Sequence, residues 1–376
     1  MSLARRLYAG NPGFDFRPAW RRQLIVSVVT FVVCAIALVT QGLNLGIDFE
    51  GGGVWEVPSE DLSVEDARDA LRDSGNDEAR IQVITTAAGD RSIKVQAGVD
   101  AVSESDAIVA ALADAAGVEL SQVSVNTVGP SWGDAVTEAA VRALVYFFIA
   151  ITIYLTIRLE WKMALGAIVA VVHDIVISVG IYAIFQFQVT PATVIAFLTI
   201  LGYSLYDTVI VFDKLRNSAA YVGVQNRLTY TDVANYATNE VFMRSVNTSI
   251  VATLPVLSLL IVGSWMLGAT TLEEFAIALI IGQIIGAYSS IFVAVPVVLW
   301  LKEKEPHNRE VRERLGGDRD EVVDVLTSSA RHSDAADNAG ARGPVSRSRG
   351  QEPVRPTVGA PVATHPPRPR KKGKKR

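Results

Sequence analysis

Four ionisable residues interrupt stretches that otherwise carry no charge. His173 and Asp174 sit in the apolar run 163–186, Asp207 in the run 192–212 and Arg244 in the run 243–263. An unpaired carboxylate in hydrocarbon either takes up a proton or drives its helix out, whereas a nearby guanidinium holds it ionised. Asp207 lies about 9 Å of helix inside the boundary marked by Asp213 and Lys214. Arg244, followed by Ser-Val-Asn-Thr-Ser249, falls at a similar depth, so the two are expected to pair. A carboxylate that loses and regains such a partner carries protons in steps. A lasting pair would instead lock helix packing, and a cation or substrate site is a third use of the same charges. Spacing alone leaves all three open. On charge arguments His173 reads as a neutral residue hydrogen-bonded to another helix.

Other chemistry is excluded by residue type. The single cysteine, Cys34, lies in an apolar run, which rules out a disulfide scaffold, and zinc-type Cys/His spacing is absent. There is no His-Glu-x-x-His, no Ser/Lys or paired Gly-Asp dyad in an apolar run, and the reading is of a non-enzyme that holds no metal.

The elements that must position these residues follow from hydropathy. Half of the 376 residues are hydrophobic and mean hydropathy is +0.29. Six apolar runs approach bilayer-spanning length: 23–43, 135–157, 163–186, 192–212, 243–263 and 274–301. The first, preceded by Arg21 and Arg22, is too long for a signal core and reads as a retained helix. Connections 158–162, 188–191, 213–240 and 263–274 separate the later ones. Basic residues Arg5, Arg6, Arg17, Arg158, Lys162, Lys214, Arg216 and Arg227 fall on one side if both termini are cytoplasmic. The net charge of −4 then divides by compartment. It is +4 over 1–42, −12 over 43–131, −3 over 132–301 and +7 over 302–376.

These features predict a polytopic α-helical membrane protein with six transmembrane helices. A small α+β extracytoplasmic domain lies between helices one and two. Residues 1–22 form the cytoplasmic N-terminus, 23–43 the first helix, 44–131 the outer domain and 132–301 helices two to six. In the outer domain, strands are expected at 54–57, 80–86, 91–96 and 122–128, with helices from Ser63 to Gly75 and from Ser103 to Gly117. That order, βαββαβ, is ferredoxin-like. Residues 302–376 lose hydrophobic periodicity and read as a largely disordered basic cytoplasmic tail, solvated or in contact with anionic membrane lipid or ribosomal RNA. Small residues Gly166, Gly180, Gly202, Gly282 and Gly286 allow close helix approach.

Several stretches in order resemble the SecF family. They are Leu45-Gly-Ile-Asp-Phe-Glu-Gly-Gly52, Val128-Gly-Pro130, Arg158-Leu-Glu-Trp161, Val172-His-Asp174, the segment from Gly202 to Arg216 and Arg244-Ser-Val-Asn-Thr-Ser249. The resemblance covers about residues 20–303 and implies half of a twelve-helix, RND-like body shared with SecD. It also implies proton-motive force in place of a cofactor and late steps of polypeptide export as the function. Implied partners are SecD, the SecY channel complex, YajC and YidC-type accessory proteins and exported polypeptides, with no specific nucleic acid. The site would be a proton relay of Asp207 and Arg244, with Asp174 secondary and His173 and Tyr206 as supporting polar groups. The family usually has Asn where this chain has Tyr206. An RND-like exporter of lipid or small molecules and a passive assembly scaffold are the competing readings.

Overall fold

The computed structural model describes residues 13–72, 75–76, 79–85, 89–222 and 228–315. Arg5, Arg6, Arg227, Thr86 and the tail from 316 onward lie outside them. The chain opens with helix α1 (Arg17–Gln41). An αβ domain follows, with β1 (Gly52–Pro58), α2 (Val64–Arg72), β2 (Arg80–Thr85), β3 (Arg91–Ala97), α3 (Ser105–Ala116) and β4 (Ser124–Val128). Five long helices complete the body: α4 (Pro130–Arg158), α5 (Trp161–Phe185), α6 (Pro191–Ser218), α7 (Tyr230–Ser264) and α8 (Thr270–Lys302). With α1, six helices are long and apolar enough to cross a membrane. A short helix, α9 (Pro306–Arg314), ends the described chain.

The domain's four strands run in the order β2-β3-β1-β4, every neighbouring pair antiparallel. This is the ferredoxin-like arrangement. Alternation decides its core: Trp55 and Val57 of β1 and Ile93 and Val95 of β3 point at Leu71 of α2 and at Ile108 and Leu112 of α3, all fully buried. Trp55 Nε1 donates to Ser105 Oγ at 3.0 Å. Gly51, with φ +78°, and Gly52 make the turn into β1. Gly52 has φ +130°, and a Cβ there would stand 2.3 Å from the Ala97 carbonyl oxygen. Beneath the domain, Asn44 and Leu45 pair in parallel with Gln188 and Val189, a contact that hydropathy does not foreshadow.

Two helices run past their apolar runs. The stretch 213–240 reads as a connection, yet α6 continues to Ser218 and α7 starts at Tyr230. The extension of α7 has local causes. Thr229 and Asp232 form a capping box, with Thr229 N–H donating to Asp232 Oδ2 at 3.0 Å. Asn235 and Asn239, on the same face, hold the segment before α1. Phe16 N–H donates to Asn235 Oδ1 at 2.8 Å and Phe14 N–H to Asn239 Oδ1 at 2.7 Å. Arg17 also reaches Asp232 at 3.0 Å.

The first residues beyond Lys302 are helical, which departs from the expected disordered tail. At the end of the body away from the αβ domain, Lys162 Nζ lies 2.8 Å from Glu305 Oε1, and Lys302 Nζ lies 2.5 Å from Glu160 Oε2 and 3.3 Å from Glu305. Asn308 Nδ2 donates to the Lys302 carbonyl at 2.9 Å. These contacts anchor α9, which has no apolar face of its own to signal it. Burial opposes the charge on Glu305, but the bonded Lys162 and the neighbouring Lys302 outweigh it and hold the carboxyl below the ordinary glutamate range. A depressed folded value contributes stability above the ordinary pKa of about 4.3 and loses it as pH falls through the folded value. The protection of the 306–314 amides, taken relative to their intrinsic exchange rates, is therefore expected to fall only on acidification below about pH 4. The change should be at most about 1 kcal/mol, as suits partly exposed ion pairs.

Candidate functional site

Helix α6 presents Ser204, Asp207 and Thr208 on one face, the i, i+3, i+4 spacing of a single stripe. All three are buried. Asp207 Oδ2 accepts hydrogen bonds from Ser245 Oγ of α7 and from Ser290 Oγ of α8, the latter at 3.0 Å. Ser290 opens a π-helical turn, Ser290–Ala294, whose wider winding brings Ser289 and Ser290 both inward. In the same turn the Ile291 carbonyl accepts from Trp20 Nε1 of α1 at 3.1 Å.

A second carboxylate lies one turn away. Asp174 of α5 is 1% exposed, and its Oδ2 accepts from Ser204 Oγ at 2.6 Å. Its Oδ1 lies 3.2 Å from His173 Nδ1. The His173 ring stacks on Tyr288, whose hydroxyl donates to the Gln23 carbonyl at 3.0 Å and lies 2.8 Å from Ser27 Oγ of α1. Two serine hydroxyls therefore hold Asp207, and one serine hydroxyl and the His173 ring hold Asp174. A serine hydroxyl donates to an ionised carboxylate and accepts from a protonated one, so the same cage serves either state of Asp174 and Asp207.

Small residues set the spacing of the cage. A Cβ on Gly286 would stand 2.7 Å from Ser204 Cβ, and one on Gly282 2.4 Å from Ile200 Cδ1. These two glycines bring α8 against α6 where Ser204 and Ser290 reach the acids. On α5, a Cβ on Gly180 would stand 2.2 Å from Cys34 Cβ of α1, and one on Gly166 2.5 Å from Val298 Cγ2. Gly202 differs: nothing lies within 4 Å of where its Cβ would be.

The expected Asp207–Arg244 pair is not made. Successive residues of a helix point about 100° apart, so α7 turns Ser245 to Asp207 and its neighbour Arg244 away. Arg244 is exposed. It lines a groove of about 520 Å³ with Arg158, Lys214, Gly202 and Tyr206. Tyr206, offset from Asp207 in the same way, is exposed and does not touch the carboxylate. Lys214 is paired with Glu240, while the Arg244 guanidinium has no hydrogen bond or ion pair among the described residues. Sequence reasoning missed Ser290 and carried Ser204 and Ser245 only inside motifs. The helical spacing from Asp207 back to Ser204 was the available signal.

Six spanning-length helices, a ferredoxin-like domain on one side and carboxylates caged between helices define a polytopic membrane protein with an ionisable core. Residues 108–304 match the family described as protein export membrane protein SecD/SecF, C-terminal, and residues 36–52 match the SecD/SecF GG motif. The chain belongs to the SecF family. It is 41% identical over 316 residues to a protein translocase subunit SecF of Streptomyces coelicolor, covering 84% of this chain and 83% of that one. It is 36% identical to a SecF of Mycobacterium tuberculosis over 348 residues, 89% of this chain and 79% of the relative. The crystal structure of SecDF from Thermus thermophilus, a translocon-associated membrane protein, superposes with a TM-score of 0.64 at 28% identity. The match covers 77% of this chain but only 39% of that one, so the chain spans about two fifths of the solved SecDF.

Proposed function

We propose that this chain is the SecF subunit of a SecD–SecF complex in the plasma membrane. With SecD it uses the proton-motive force to drive late steps of polypeptide export through the SecY channel. It would act as a non-catalytic subunit that requires no cofactor. The αβ domain would lie outside, both termini in the cytoplasm, and YajC and YidC-type proteins would be accessory partners. Family membership supports this reading, and one observation carries its mechanism: a carboxylate at Asp207, caged by hydroxyls from two other helices.

In this mechanism Asp207 takes up and releases the proton, and Asp174, joined to α6 through Ser204, is a secondary station. Arg244 supplies a counter-charge from the groove rather than from within the cage. The exposed apolar faces of α1 and α4, among them Ile36, Val39, Val145 and Ile149, together with the groove, would face SecD and lipid. The acidic partner of Arg244 would come from SecD. A cation without a counter-charge at membrane depth, beside Arg158 and Lys214, is costly to leave alone, and relief of that cost would couple the two subunits.

Arg244→Met tests the assignment. We expect proton conductance of reconstituted SecD–SecF to fall by at least about ten-fold, the scale of losing one positioned charge, while the two subunits still co-purify. Conductance equal to wild type would favour a scaffold in which the buried charges only pack.

A further inference from the structure

Helix α1 meets the rest of the body along a narrow stripe. Trp20, Ser27, Cys34 and Ala37 are its buried residues, while Val28, Val29, Val32 and Val33 are exposed. Two polar contacts tie it to α8. The Tyr288 hydroxyl donates to the Gln23 carbonyl, and Trp20 Nε1 donates to the Ile291 carbonyl at 3.1 Å. The second contact falls inside the π turn Ser290–Ala294, next to Ser290, whose hydroxyl holds Asp207.

That carbonyl needs a side-chain donor because of a proline. In a π turn the carbonyl of one residue is met by the N–H five residues on. Five residues beyond Ile291 stands Pro296, which has no N–H to give. With α winding the partner of Ile291 would be Val295, and the carbonyl left facing Pro296 would be that of Phe292. Each winding therefore orphans a different carbonyl. Trp20 reaches the one that the π winding leaves open, and a buried carbonyl without a partner costs about as much as a lost hydrogen bond. The indole thus favours π over α winding at this turn. Successive residues of an α-helix stand about 100° apart, so a return to α winding rotates α8 on one side of the turn against the other. Ser290, at the start of the turn, then loses its aim at Asp207.

We infer that Trp20 is a positioning residue for the proton site. By supplying the donor that Pro296 lacks, its indole N–H keeps this turn of α8 in the winding that holds Ser290 on Asp207. The inference deepens the relay reading given above and rests on it. In the competing account the indole only fills space beside Phe16, on which it stacks with ring centroids 6.2 Å apart.

Replacing Trp20 by benzothienylalanine separates the two, because sulfur takes the place of the N–H at nearly unchanged shape. The test uses the SecD–SecF complex in proteoliposomes and two readouts. One is proton flux reported by a pH dye inside. The other is the infrared C=O band of protonated Asp207, assigned by its loss in Asp207→Asn. With the analogue, flux is expected to fall about ten-fold, the scale of one hydrogen bond to a charged group. The band should move to higher wavenumber as the bonding of the carboxyl weakens. In a Ser290→Ala background the analogue should change neither readout further, since both substitutions act through one contact. Flux and band equal to wild type overturn the inference, and so does a loss that adds in full to that of Ser290→Ala. A loss seen with Trp20→Phe but not with the analogue assigns the effect to ring volume and overturns it too. Asp207→Asn separates the failures. If it conducts normally the relay reading fails and the band alone judges Trp20. If it blocks while the analogue behaves as wild type, only the role of Trp20 is wrong.

Discussion

Asp207→Asn is expected to abolish proton-driven export while leaving the chain inserted and bound to SecD. Asparagine is close to isosteric and keeps an oxygen to accept from Ser245 and Ser290, so the three helices that meet at this side chain keep their contacts. What disappears is the exchangeable proton. Removing a positioned proton-transfer group typically costs a factor of about 10² to 10⁴, so the stimulation of export by a proton gradient in inverted vesicles should drop to background. Export measured without a proton gradient sets that background. Full proton-dependent export by Asp207→Asn would sink the relay assignment. Reduced amounts of the complex in the membrane would instead point to a packing role for the acid.

Gly286→Val is expected to have the second largest effect, by a different route. A Cβ at this position meets Ser204 Cβ at 2.7 Å and Ser204 Oγ at 2.9 Å, so α8 and α6 must move apart or Ser204 must give up its rotamer. Either response disturbs the Ser204–Asp174 hydrogen bond, and separation of the helices also draws Ser290 from Asp207. Overpacking of a well-packed interface costs about 1–3 kcal/mol, which corresponds to a melting temperature lower by on the order of 5 °C for a body of this size. Differential scanning fluorimetry of the purified complex, together with proton flux, would read both consequences. Gly202→Ala is the control, since its new methyl group enters open space within this chain. An unchanged melting temperature for Gly286→Val would mean that the two helices are not in the contact described.

The sequence announced the helices more clearly than the site. Run length found all six because an uninterrupted apolar stretch has one stable home. The ends of α6 and α7 escaped because they are held by polar contacts. Asn235 and Asn239 bond to the segment before α1, a partner more than two hundred residues away in sequence. Periodicity found the four strands and both major helices of the αβ domain. It could not show the parallel pairing of Asn44 and Leu45 with Gln188 and Val189, which depends on two turns meeting beneath the sheet.

For the ionisable residues, depth was legible and azimuth was not. Asp207 and Arg244 were located along their helices by hydropathy alone, yet a one-residue difference in phase puts Ser245 in contact with the acid and Arg244 in the groove. Hydropathy fixes height in the bilayer. The rotation of a helix about its axis comes from packing, here from Gly282 and Gly286 against Ile200 and Ser204.

The close approach of α1 to α5 at Gly180 has a practical side. Cys34, the only thiol in the chain, is 1% exposed, with its side chain pressed against that glycine. A thiol so enclosed is shielded from water-soluble maleimides. The wild-type chain therefore serves as a low-background host for single-cysteine probes, with no need to remove Cys34 first. Slow labelling of Cys34 itself would clock the parting of α1 from α5.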